Sequence, residues 1–152
     1  MEDGSVSFDH DLMIGEKVER LWLDKMLVAF KDSYQTFGKD SRFDIEIPEL
    51  NVTIEVKYDP KSLETGNVVV EYHHAKPSGI LTSEATHWLF DLVDEELWFS
   101  RRSLLRAIMC SGEQPVQIHG PEDRHPKMVY LIPKETLRTF ANRSPFEASA
   151  AP

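Results

Sequence analysis

The sequence predicts an α/β layer fold: an opening helix, an antiparallel meander, then mixed elements flanked by helices. Three observations carry that expectation. Apolar residues recur at three- and four-residue steps through "IGEKVERLWLDKMLVAF", the period of a helix that buries one face. Apolar and polar residues alternate on both sides of "PELN" in "FDIEIPELNVTIEVKYD", the period of half-buried strands. Strand-like and helix-like runs then succeed one another to the end of the chain, as layered α/β proteins require.

Taken in order, the helix starts at Asp11 or just after it, contains no proline, runs to about Lys31 and is broken by "FGKDS" at 37–41. Strands follow at about 42–47, 52–58 and 67–73, the last reading "NVVVEYH" after the turn signal "ETGN". The loop "KPSGILTSEAT" leads into a short helical turn in which Thr82 or Ser83 caps and Glu84 sits in the first turn. Two strands, "HWLFDLV" and "ELWFS", flank "DEE"; "SRRSLLRAIMC" is a helix and "MVYLIP" a strand. A closing helix, "PKETLRTFANR", has proline in its first turn. The end "SPFEASAAP" is small and polar enough to fray. At 152 residues the chain suits one core rather than two, so one domain is expected over 1–143 with a flexible tail over 144–152.

Hydrophobic residues at 41% and charged residues at 28% are globular values. No apolar run is long enough to span a membrane. The acidic start "MEDGSVSFDHD" lacks the basic-then-apolar order of a secretory signal, which points to a cytoplasmic location. Cys110 stands alone, which excludes a disulfide framework or a cysteine zinc site and reads as a buried or inert thiol. A formal charge of -9 argues against holding nucleic acid by bulk positive potential. It leaves room for a local basic surface around acidic metal ligands.

The hairpin raises a question of charge. Phe43, Ile45 and Ile47 share a face with Val52, Ile54, Val56 and Tyr58, which leaves Arg42, Asp44, Glu46, Thr53, Glu55, Lys57 and Asp59 on the other. If "PELN" is a four-residue loop, Ile47 pairs with Val52 and Asp44 falls opposite Glu55. Cβ atoms of directly opposed residues lie roughly 4.5–5.5 Å apart, and like charges so placed repel. Water together with Arg42 and Lys57 can offset that repulsion, as on any half-solvated hairpin. A hard divalent cation can do so too, since magnesium takes carboxylate and carbonyl oxygens and keeps several waters. Lys57, on the same face, would then stand beside the ion as a point charge.

At these residues the chain resembles the PD-(D/E)xK nuclease superfamily. "FDI" followed by "IEVK" matches its acid on one strand and Glu-x-Lys on the next, with Phe43 where a proline is usual. "GEKVER" at 15–20 resembles the opening-helix motif of the Holliday-junction resolvase branch, which maps the helix glutamate onto Glu19. "TGNVVVEYHHAKPSGILTSEATHW" is similar to a segment of small phage-encoded nucleases of the superfamily. The three matches keep their order and cover roughly residues 13–93, and the element order α, β, β, β, α, β implies a restriction-endonuclease-like core. The resemblance implies that Asp44 and Glu55 bind Mg2+ or Mn2+, with the carbonyl of Val56 as a further ligand. It assigns Lys57 to the nucleophile or the developing charge, and Glu19 to waters around the ion or to a second ion. The implied function is metal-dependent endonucleolytic cleavage of DNA, with branched or recombination intermediates as candidate substrates and a homodimer left open. The alternatives are a non-catalytic DNA- or protein-binding module on the same fold, or an acidic viral inhibitor that mimics nucleic acid.

Further residues carry weaker signals. Glu19 lies on the apolar stripe of Leu23, Met26 and Phe30 at steps of four, seven and eleven, where an acid needs a partner; Arg20 and Lys25 are at hand. Glu71 is either an accessory acid or a solvated strand end. His73 and His74 point to opposite strand faces, which tells against a shared zinc. His73, Lys76 and Ser78 are candidates for phosphate contact, with ordinary loop roles as the alternative. Trp88 and Trp98 read as core. Arg102 and Arg106, at i and i+4, form either a DNA-backbone stripe or a solvated face paired with the acids of "DEE".

Overall fold

The strands divide between two sheets. A computed structural model describes residues 5–37, 42–119 and 124–149, and of 5–12, 148 and 149 the backbone alone. The elements are α1 (Ser5–Leu27), β1 (Tyr34–Gln35), β2 (Ile45–Ile47), β3 (Val52–Tyr58), α2 (Ser62–Thr65), β4 (Asn67–His74), β5 (Lys76–Pro77), β6 (His87–Asp91), β7 (Glu96–Ser100), α3 (Arg101–Ser111), β8 (Val116–Ile118), β9 (Lys127–Pro133), α4 (Lys134–Phe140) and α5 (Pro145–Ser149). One sheet runs β1-β2-β3-β6-β7 and the other β5-β4-β9-β8. All pairings are antiparallel except β3 with β6. The chain is therefore a mixed α/β fold with a mixed sheet flanked by helices.

The five-stranded sheet is the middle layer. Its first face carries Ile45, Ile47, Val52, Ile54, Val56 and Leu89 against Trp22, Leu23 and Met26 of α1. On the opposite face Trp88, Phe90 and Phe99 pack with Val68, Val70 and Ile132 of the second sheet and with Leu104, Ala107, Ile108 and Leu137 of α3 and α4. Burial on both faces explains why β6 reads as an almost unbroken apolar run. Full burial of one such Leu or Ile stabilises by about 1.5–3 kcal/mol, so the two cores account for where the helices sit. Among the described residues no helix is long and apolar enough to cross a membrane.

Several elements depart from expectation. α1 begins before Asp11 and stops at Leu27, and most of the expected turn over 37–41 lies outside the described residues. The third expected strand exists as β4, yet it leaves the meander and pairs with β9, Val70 opposite Tyr130. Both edges of β3 are taken, by β2 and β6. The chain turns out through α2 and Gly66, whose carbonyl accepts from Lys134 N–H at 3.0 Å.

The segment expected to fray carries α5: Pro145 is buried, and Phe146 stacks on Phe30 and meets Trp98 edge-on. Apolar contact there outweighs the small polar residues around it; 150–152 lie outside the described residues. The acids of "DEE" pair with α4, Asp94 with Lys134 and Glu95 with Arg138. Arg102 and Arg106 are exposed and form no ion pair among the described residues. Cys110 is exposed, not buried.

Candidate active site

The β2–β3 hairpin keeps the expected register next to its turn. Ile47 lies opposite Val52, Glu46 opposite Thr53 and Ile45 opposite Ile54; Pro48–Leu50 form one 3-10 turn, and Asn51 takes a left-handed conformation at φ 54°. At Asp44 the ladder slips. Its N–H donates to the Ile54 carbonyl at 2.9 Å instead of continuing the register, and its Oδ2 accepts from the Val56 N–H at 2.8 Å. The simple cross-strand opposition of Asp44 and Glu55 is thus replaced: the Asp44 carboxylate stands in for a missing backbone acceptor. Thr36 pins the residues just before β2, its N–H donating to the Asp44 carbonyl at 2.8 Å and its hydroxyl to the Phe43 carbonyl.

Glu55 is held at both oxygens. Oε1 pairs with Lys57 Nζ at 3.2 Å and Oε2 accepts from the Ser83 hydroxyl at 3.2 Å. Glu19 reaches the site from α1 and accepts from Gln35 Nε2 at 2.9 Å. Neither basic neighbour on the helix serves it: Arg20 pairs with Asp24, and Lys25 lies over the Trp22 ring.

Three carboxylates are crowded at one place. Burial, then the charges of Glu55 and Glu19, raise Asp44 to about 7 against the opposing effects of Lys57 and the Val56 N–H. Burial also raises Glu19, with Glu55 adding to the effect and the Gln35 hydrogen bond opposing it. Lys57 is only partly covered, its side chain 41% exposed; the desolvation it does suffer would lower it, but the Glu55 and Asp44 carboxylates prevail and raise it above the usual range. Lys57 is therefore an ammonium group at neutral pH, a hydrogen-bond donor and point charge and not a base. Its Nζ sits 5.9 Å from the centre of the Trp88 ring.

Glu55 and Lys57 open into a cleft of about 370 Å³, while Asp44 and Glu19 stand behind them and are not part of its lining. Glu55 and Lys57 line one wall, Glu71, Lys76 and Ser78 another, with Arg42, Thr82 and Ser83 beside them. The second sheet supplies its wall through a close backbone approach: Gly79, at φ +54°, packs so tightly on Glu71 that a Cβ would fall 2.1 Å from the Glu71 carbonyl oxygen. The Ser78 hydroxyl donates to Glu71 Oε2 at 2.8 Å.

Asp44, Glu55, Lys57 and Glu19 thus form one electrostatic cluster, of which Glu55 and Lys57 share the cleft with Lys76, Ser78 and Glu71. His73 is not in the cleft lining; it is half-buried beyond an irregularity in β4 and lies opposite Met128 and Pro77. Val56 buries its side chain in the first core and meets Asp44 through its N–H. Arg42, which strand alternation places on the charged face, lines the cleft; Gln35 and Ser83 are additions that no local pattern marks, because their partners are distant in sequence. Ser83 does not open a helix. The helical turn, Gly79–Leu81, precedes it, and its hydroxyl is turned to Glu55.

Among the described residues no three His, Cys, Asp or Glu side chains form a metal-holding group. Magnesium needs no such group, since one or two carboxylates and waters suffice. The donor chemistry fits: the oxygens are hard ligands, and the charges of Glu55 and Glu19, which add to burial in raising Asp44, would be offset beside a divalent cation. Comparison with protein-family models, with curated proteins and with solved structures finds no match for this chain.

Proposed function

We propose that this chain is a divalent-metal-dependent DNA endonuclease of the PD-(D/E)xK type, with a restriction-endonuclease-like core and a cytoplasmic site of action. The observation that carries the reading is the crowding of Asp44, Glu55 and Glu19 around the Lys57 ammonium, with Glu55 and Lys57 reaching a cleft that Arg42 and Lys76 also line. Acids gathered at such cost call for a cation, and cations and hydroxyls around them suit a phosphodiester.

Asp44 and Glu55 would hold Mg2+ or Mn2+, with the Val56 carbonyl as a further oxygen donor and Glu19 serving surrounding waters or a second ion. When bound, the ion supplies Lewis-acid polarisation of a phosphate oxygen and a nucleophile at neutral pH. Lys57, kept charged by Glu55 and Asp44, donates toward the charge that develops on the phosphate. Lys76 engages a flanking phosphate oxygen and fixes the strand in register, as does Ser78 once its hydroxyl hydrogen turns from Glu71 Oε2 to the phosphate. A chain with one such site cuts both strands only as two copies or in two encounters, so a homodimer belongs to the reading, and branched DNA is a candidate substrate.

The test is an assay of the purified protein on linear, nicked, single-stranded and four-way DNA with Mg2+, Mn2+ or EDTA. Cleavage is expected with either metal and not in EDTA, and Asp44→Asn and Lys57→Ala are each expected to lower the rate by at least about 100-fold. Full activity of either variant, or cutting in EDTA, removes the assignment. DNA binding without cleavage would favour the non-catalytic module.

A further inference from the structure

We propose that Ser83 is a positioning residue that fixes the Glu55 carboxylate for metal binding; the proposal rests on the nuclease reading above. Ser83 is one of three buried polar or charged residues among those described, with Ser33 and Ser62. Ser62 donates to a carbonyl three residues away, that of Asp59. Ser83 instead reaches 28 residues back to Glu55.

The bonding around its hydroxyl leaves little choice of direction. A serine hydroxyl has one hydrogen to give and two lone pairs to accept with. Its oxygen accepts from the Ala85 N–H at 3.2 Å, which turns a lone pair inward along the chain. The hydrogen has two acceptors in reach, Glu55 Oε2 at 3.2 Å and the Arg42 carbonyl at 3.4 Å, and the closer one is a carboxylate, where a hydrogen bond is stronger. The Ser83 backbone is itself anchored, because its N–H donates to the Gly79 carbonyl at 3.0 Å and the Glu84 N–H donates to the Arg42 carbonyl at 2.9 Å.

The consequence falls on Glu55. With Lys57 on one oxygen and Ser83 on the other, its side chain loses rotamer freedom on folding and not on meeting the ion. Outer-shell hydrogen bonds of this kind typically tune metal affinity by 10–100-fold. Ser83 touches neither ion nor substrate and acts through Glu55 alone.

The experiment measures Mn2+ affinity of the full chain without DNA, by electron paramagnetic resonance of free Mn2+, for wild type, Ser83→Ala, Ser83→Thr and Glu55→Gln. Melting temperature in EDTA and the KM and kcat for DNA are recorded alongside. Ser83→Ala is expected to bind Mn2+ about tenfold or more weakly, and to lower kcat at subsaturating metal while leaving KM for DNA unchanged. Ser83→Thr, which keeps the hydroxyl, restores the affinity. Wild-type Mn2+ affinity in Ser83→Ala overturns the positioning role alone. So does equal weakening in Ser83→Ala and Ser83→Thr with a shared fall in melting temperature, which would mark Ser83 as structural. Absence of Mn2+ binding by the wild type overturns the nuclease reading and the role of Ser83 with it.

Discussion

At the scale of single residues, Asp44 is the most informative group. Its carboxyl is raised to about 7 from an ordinary 3.8, so folding favours its protonated form. Below its ordinary range the group is protonated folded or unfolded and costs nothing. As pH rises from about 4 to about 7 the unfolded chain gains a favourable charge that the folded chain resists, and above 7 the destabilisation is complete. Asp44→Asn keeps an acceptor for the Val56 N–H and removes that cost. In EDTA its melting temperature is expected to exceed that of the wild type at pH 8 by at least about 3 °C, which is about 1 kcal/mol for a chain of this length, and to match it at pH 4. Added Mg2+ should raise the wild type at pH 8 and leave the variant unmoved. A difference independent of pH would show that the Asp44 charge is not the cause. The acids and Lys57 were legible in the sequence because strand alternation places them on one face. The slip at Asp44 was not, because it depends on where β2 runs out of partners.

Among the elements, the segment from Lys76 to Ser83 decides whether there is a cleft at all. Its close approach to β4 depends on Gly79: a side chain there must adopt φ +54° and meet the Glu71 carbonyl. Gly79→Ala is expected to cost at least about 2 kcal/mol by chemical denaturation, from positive-φ strain and displacement of the segment together. Cleavage should fall with it, since Lys76 and Ser78 move too. A neutral substitution would mean that the two backbones part without consequence. "PSGI" reads as a loop in sequence, and a loop it is, but its seating on Glu71 is set by the second sheet. β1, β5 and β8 escaped a reading from pattern because two or three residues give no period to detect. α5 escaped because one phenylalanine among small polar residues carries no period either.

For the whole molecule the question is how a chain of net charge -9 would hold DNA. The cleft offers three cations, Arg42, Lys57 and Lys76. Each phosphate neutralised contributes about -0.9 to the slope of log K against log salt, so binding by Asp44→Asn, which should not cut, is expected to show a slope no steeper than about -3. Adding Lys57→Ala should flatten it by about 1. A slope near -6 would place binding on another surface, for which the exposed Arg102 and Arg106 of α3 are available. Local periodicity alone determined α1 approximately, the β2–β3 hairpin, β6, β7, α3, β9 and α4, together with the acids and lysine of the hairpin, because side-chain spacing along one segment reports which face it buries. Only the tertiary structure decided that β4 joins β9 and not β3, that Ser83 and Gln35 hold Glu55 and Glu19, and that Lys76 and Ser78 line one cleft with Lys57 while His73 does not. Those choices rest on contacts between segments tens of residues apart, fixed by which sheet edge is free and which apolar faces can be covered together, and no short stretch of sequence contains them.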